Sequence, residues 1–431
     1  MKLQNCPFAL AAQLQVLPAW SRAVIAALDL HKPDLAELKS LSQEEWRSAL
    51  DFCDRSRLTL ALRNQARQEM PDWVGERTDR DAANNRERLG RLKEIYRTVG
   101  RELAQVEFVA LKGISQTALS GEPPDDRVQY DIDLYVPEKR AMAARDILLG
   151  CGYESLTELE DFPTDHLPAL IQKTGWEWRG DFFDPQIPAA IEVHFRFWNP
   201  ETERLPACGA EEFWERRVTR EIAGLELPVL HPADALAYTA LHVLRHLLRG
   251  NVDAFSVYEL ALILERHSQD EGLWRLWRSW HSPELRRLQA VSFQLARSWF
   301  QCEAGLAAEE TIDALPVSAK SWFETFAASP LNQAFRPNKD EVWLHWSLLE
   351  SVFDRWSVAR RRLLPVRLPG PVDAVYVPDS DMTWRRIWIK RLRYGAYLAR
   401  RMRHHVSALP RTAGAGARWW LRTRRWSGQP K

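Results

Sequence analysis

Val106-Glu-Phe-Val-Ala-Leu111, then Lys112-Gly113, then Tyr130-Asp-Ile-Asp-Leu-Tyr-Val136 set the architecture expected of this chain. The first run is short and mostly apolar, the pattern of a buried strand that Lys112-Gly113 closes. The second alternates acid and apolar residues, so Asp131 and Asp133 project from one face about 6–7 Å apart while Ile132 turns inward. Pro137 ends it. Lys139 to Leu149 has helical periodicity and stops at Gly150 and Gly152. Two more extended runs, 176–183 and 189–198, flank the turn residues Asp184-Pro185, which predicts a hairpin.

Outward from this segment the chain reads as helices. Trp20–Leu30, Glu44–Gln65 and Asp79–Gln105 place apolar residues three and four apart, with Ser42 and Glu45 as a capping box and Pro71 as a break. Helical spacing returns at Ala233–Leu248 and Phe255–His267 and continues to about Arg362. The expected fold class is α+β, a small mixed-sheet core flanked by N-terminal and C-terminal helical regions. The expected boundaries are 1–104 for the N-terminal helices, 105–230 for the α/β core and 231–363 for a helical domain. A Pro-rich connector and basic tail follow over 364–431.

Of the 431 residues, 45% are hydrophobic and 27% charged, the balance of a folded globular chain. No apolar run is long enough to span a bilayer, and no signal peptide is read at the N-terminus. Five widely spaced cysteines without a C-x-x-C pair fit neither a zinc site nor a disulfide framework, which points to a cytoplasmic location. Charge is distributed unevenly. Of the 59 Lys and Arg, 14 lie between Trp384 and Lys431, where there is no acid, leaving 45 against 58 acids upstream. Residues 384–402 fit a basic amphipathic helix with Trp on its apolar edge. That helix is expected to pack on the acidic body. A small-residue linker at Ala413–Ala417 is expected to release a mobile end, suited to an anionic membrane surface at the inner face and less to nucleic acid.

The paired acids carry the chemistry. Two carboxylates held together repel unless neutralised, and hard oxygen donors suit Mg²⁺ or Mn²⁺. Gly113 lets backbone approach a phosphate, with amide N–H groups and the next helix's positive end facing the anion. Lys112 lies beside it. Arg127 is placed to clamp a phosphate or to pair with the carboxylates. Glu192 and His194 share the polar side of Ile191-Glu-Val-His-Phe195, Glu192 as third ligand or general base and His194 as a substrate or sheet contact. His242 and His246 share one helix face, in a packing or substrate-facing role. P-loop and Rossmann glycine motifs are absent.

Leu111-Lys-Gly113, Arg127, Tyr130-Asp-Ile-Asp-Leu134, Gly152-Tyr153 and Ile191-Glu-Val-His-Phe195 together resemble the uncharacterised nucleotidyltransferase family of the DNA polymerase β superfamily. The resemblance implies a nucleotidyltransferase core in which two acids of one strand and a third from a neighbour bind divalent metal. They map onto Asp131, Asp133 and Glu192. The glycine motif maps onto Gly113, although Ile114 stands where the superfamily has a second small residue. It further implies transfer of a nucleoside monophosphate from a nucleoside triphosphate, such as ATP, to a hydroxyl of a sugar, metabolite or protein. The alternative is a non-catalytic scaffold that keeps the fold and binds a partner.

Overall fold

The computed structural model describes residues 13–157, 164–363, 375–376 and 382–427. Its centre is a seven-stranded mixed sheet. In chain order the strands are β1 (Val109–Ala110), β2 (Asp131–Tyr135), β3 (Glu154–Ser155), β4 (Leu170–Ile171), β5 (Trp176–Glu177), β6 (Ala190–His194), β7 (Val218–Ile222), β8 (Leu225–Val229) and β9 (Val375–Tyr376). The sheet runs β3-β4-β6-β2-β1-β8-β7, and β5 pairs with β9 in a separate ribbon. β2 and β6 are parallel, with Asp133 opposite Glu192 and Tyr135 opposite His194.

The helices used below are α1 (Ala19–Ala27), α2 (Gln43–Ser56), α3 (Thr59–Ala66), α4 (Asp72–Glu102), α5 (Ile114–Ser120), α6 (Glu138–Gly150), α7 (Pro232–Arg249), α8 (Ala254–Arg266), α9 (Pro283–Phe300), α10 (Val317–Phe326), α11 (Glu341–Leu348) and α12 (Trp384–Ser427). Strand alternation gives the sheet two apolar faces. Ile132, Leu134, Ile191 and Val193 are at most 1% exposed and join Leu89, Leu92 and Tyr96 of α4 and Ala144 and Leu148 of α6. Tyr135 points the other way and stacks on Phe197 at 3.9 Å. That side merges into one large core that also holds residues of α1, α2, α7, α8 and α9. The helices before and after the sheet therefore share a single hydrophobic interior.

The α+β class is as expected, and so is the capping box: Ser42 Oγ accepts from Glu45 N while Ser42 N donates to Glu45 Oε2 at 2.9 Å. Four expectations change. The single helix over 44–65 divides into α2 and α3 at Arg57, which is left-handed with φ 61°. The strand over 106–111 shortens to β1, because Glu107, also at positive φ (53°), bends the chain before it. The hairpin does not form. Asp181 and Asp184 accept hydrogen bonds from Phe183 N and Gln186 N, curling this stretch into successive turns, so β5 pairs with β9 and β6 with β2.

The fourth change concerns the tail. Ala413–Ala417 is helical, inside the 44-residue α12. Ala408, Thr412, Ala415 and Trp419 are buried, and Trp419 Nε1 donates to Ser318 O. A Cβ on Gly416 would meet Trp343 at 2.1 Å, so these small residues are close-packing positions rather than a linker. The segment over 384–402, expected to pack, is the exposed half. The Pro-rich stretch 364–371 lies outside the described residues. No described helix is long and apolar enough to cross a membrane.

Candidate active site

The parallel register of β2 and β6 places Asp131, Asp133, Glu192 and His194 on one face, at the floor of a cavity of about 300 Å³. Asp133, Glu192 and His194 each turn a donor atom inward, and these atoms lie within 4.8 Å of one another. His194 is buried and its Nε2 lies 2.9 Å from Asp133 Oδ1 and 3.5 Å from Glu192 Oε2. The same Asp133 oxygen receives the Lys112 ammonium at 2.6 Å. Asp131 lines the cavity beside them and carries no ion pair among the described residues. The third acid thus stands next to Asp133 as the alternation implies, and His194 completes the tight group.

Crowding of charge shows in the proton affinities. Burial, and then the Asp133 carboxylate, push Asp131 up to about 6. Burial would also raise Asp133, but Lys112 and the His194 hydrogen bond outweigh it and hold Asp133 well below the usual carboxylate range. Glu192 is lowered against its own burial by the bond from His194. His194 answers in kind: burial disfavours its cation, yet the bonds to Asp133 and Glu192 raise it. The donor set offers a divalent cation two carboxylates and one imidazole, from Asp133, Glu192 and His194, while Asp131 stands outside that tight group on the same face.

Lys112 and Gly113 reach the cavity on the turn after β1. Gly113 has φ 70°, and a Cβ there would strike the Gln129 amide at 2.1 Å. Gln129 ties this turn to the acidic strand: Ile114 N donates to Gln129 Oε1 at 2.9 Å, and Gln129 Nε2 donates to Asp131 O at 2.6 Å. The expected free amide at the start of α5 is therefore already satisfied from within. Arg127 does not pair with the Asp131 and Asp133 carboxylates. Its guanidinium forms a two-pronged pair with Glu259 at 2.6 and 3.0 Å, still at the cavity wall.

His242 and His246 of α7 also line the cavity, with ring centroids 4.4 Å apart. Burial pulls both down, His246 to about 3, so both rings are neutral at physiological pH. They stand outside the metal-competent group.

Several cavity residues were not singled out from the sequence. Arg245 and Arg249 continue the His242–His246 stripe at helical spacing, a periodic signal present in the chain. Arg245 pairs with Asp165, and Arg249 pairs with Glu203 at 2.6 Å. Arg57 arrives from the left-handed end of α2 and pairs with Asp253 at 2.7 Å. Asp253 is itself the N-cap of α8. Nothing periodic marks Arg57, Asp165 or His166, which come from a helix end and an irregular segment. Five cations and six acids thus line one small space, and each of the five cations is paired with a carboxylate.

Neither the curated proteins nor the solved structures yield a match to this chain. The model of a family described as uncharacterised nucleotidyltransferase does match, over residues 42–301, a span holding the β2–β6 acids, the Gly113 turn and the α7 stripe. The chain belongs to that nucleotidyltransferase family.

Proposed function

We propose that the protein is a metal-dependent nucleotidyltransferase that moves a nucleoside monophosphate from a nucleoside triphosphate to a hydroxyl acceptor and releases pyrophosphate. The observation that carries this reading is the register of Asp133 against Glu192 on adjacent parallel strands, with Asp131 on the same face and cations above them. Asp131, Asp133 and Glu192 would hold Mg²⁺ or Mn²⁺. Such an ion, when bound, lowers the pKa of a hydroxyl and neutralises charge on a departing pyrophosphate.

The remaining work falls to the chain itself. Lys112 and Arg57 border the acids and supply positive charge to phosphate oxygens, and Arg245 and Arg249 extend it along α7. Glu192, partly open to the cavity and ionised, takes the acceptor's proton. The freed oxygen bonds to the α-phosphorus, and the bond to the bridging oxygen breaks. Arg127, fixed by Glu259, borders the phosphate side, and the neutral His242 and His246 face the substrate. The acceptor is a sugar, a small metabolite or a protein side chain.

Thermal melts with each nucleoside triphosphate, in Mg²⁺ and in chelator, test the reading. Binding at a hundredfold excess over Kd stabilises by about 2.7 kcal/mol, a readable shift. Asp131→Asn removes one of several crowded carboxylates, so the free protein keeps or gains stability while the metal-dependent shift disappears. No response to any nucleotide in the wild type would favour the scaffold reading, which draws on Asp133 being already neutralised by Lys112.

A further inference from the structure

α12 divides at Pro410, which has no N–H to give the helix ladder. Beyond it the helix is fastened to the body. Trp343 Nε1 donates to Thr412 O at 3.0 Å, and the Trp343 and Trp419 rings stack at 6.0 Å. Before it, Trp384, Trp388, Leu392, Met402 and Val406 expose 75, 56, 66, 55 and 57% of their surface. At 100° per residue these five fall within an arc of about 80°, a stripe roughly 33 Å long. The opposite side of the helix carries Arg386, Lys390, Arg393, Arg400 and Arg401.

Orientation decides what this stripe meets. On the basic side Arg386 pairs with Glu177 of β5 at 3.4 Å, while Arg393, Arg400 and Arg401 are exposed. The docked positions 408, 412, 415 and 419 project about 150° around the axis from the stripe. Large apolar side chains therefore point away from the protein, in the half of the helix that nothing described covers. An unpartnered apolar stripe of this length, in a segment (384–406) with eight basic residues and no acid, is a binding surface.

We propose that residues 384–406 lie flat in the headgroup layer of a bilayer containing anionic phospholipid, with the tryptophan stripe turned toward the acyl chains. Arg385, Arg391 and Arg403 flank the stripe about 60° to either side of its centre, where they reach lipid phosphates as the apolar residues sink. Tryptophan favours that interfacial depth. No described helix has an apolar window long enough to span, which fits lying on the surface rather than crossing it. A nucleic acid would use the exposed arginines and leave the Trp, Leu and Met stripe, which points away from the docked positions, unburied. A second copy offers an acidic body, which suits the basic side rather than the apolar one. The proposal stands apart from the nucleotidyltransferase reading and takes no support from it.

Flotation of the full-length protein tests it, with vesicles of phosphatidylcholine alone and of phosphatidylcholine with phosphatidylserine, across a salt series. The expected result is flotation with the phosphatidylserine vesicles at low salt, weakening as salt rises, and none with phosphatidylcholine alone. Trp388→Glu with Leu392→Glu lowers partitioning by at least about tenfold. Arg391→Glu with Arg403→Glu removes the preference for phosphatidylserine. All four positions are exposed, so both variants keep the wild-type melting midpoint. Wild type that floats with neither vesicle, or an apolar-stripe variant that floats like wild type, overturns the proposal. A wild-type dimer that the stripe variant splits would assign the stripe to a second copy. Oligonucleotide binding lost in both variants, with no flotation, would assign it to nucleic acid.

Discussion

Gly113 is held between two demands, a left-handed turn and the Gln129 amide packed against its missing side chain. Gly113→Ala is expected to cost about 1–3 kcal/mol, since both the positive φ and the displaced amide oppose it. Denaturant midpoints check this, and an unchanged midpoint would show that Gln129 yields freely. At this scale the sequence was a good guide wherever an alternating strand fixes the direction of a side chain. Asp131, Asp133 and Glu192 are polar positions flanked by Ile132, Ile191 and Val193, so the strand period sets each one's side within its strand, and the β2–β6 register, which the sequence did not show, brings those sides together. Arg57 offered no such cue. It reaches the cavity only because the chain turns left-handed at the end of α2, a conformation that gives arginine no distinguishing neighbours in sequence.

Trp419 of α12 docks on α10 and α11, donating to Ser318 O and stacking on Trp343. Trp419→Ala empties a buried site and breaks the bond to Ser318 O, at an expected cost of about 3–5 kcal/mol. Limited proteolysis reads the outcome: the variant should lose the docked end of α12 faster than wild type, and equal rates would mean that the contact is dispensable. Glu341 at the start of α11 supplies a pH signature. Burial, partly offset by Arg362, raises it from 4.5 to about 7. The folded state then holds a proton that the unfolded chain has released, so stability falls as pH rises from about 4.5 to 7. Glu341→Gln, neutral throughout, should lack that fall and exceed wild type by about 2–3 kcal/mol above pH 7. Urea titrations at pH 5 and pH 8 decide it, and parallel profiles would refute it. Among elements, local signals served where local bonds build the structure, as at Ser42 and Glu45. They misled at 176–198. Asp184 does make a turn, but the partners of the flanking runs lie far off in sequence, at β9 and β2.

Over the whole molecule, one apolar interior joins α1 and α2 to α7, α8 and α9 and to Leu111, Tyr135 and Phe197 on the sheet. A fragment limited to residues 105–230 would present that face to water. It is expected to unfold without a cooperative transition and to lack near-ultraviolet dichroism, whereas the full chain melts sharply. A sharp transition in the fragment would show that the sheet can stand alone. Binary patterning revealed helices, then strands, then helices. It could not reveal that the two helical sets share an interior, because amphipathic spacing records that a face is buried and not against what.

The pairing of β2 with β6 also bears on how the molecule comes into being. The two strands are parallel neighbours, yet the segment from Pro137 to Ala189 separates them in sequence. On the ribosome, Asp131 and Asp133 emerge long before their companions and must wait, unpaired, while some fifty more residues are synthesised. The acidic floor can therefore close only after β6 has been made, though before contacts of longer range such as Gln13 with Phe323 O. In a newborn chain the three acids thus stand apart until nearly half of it has been made.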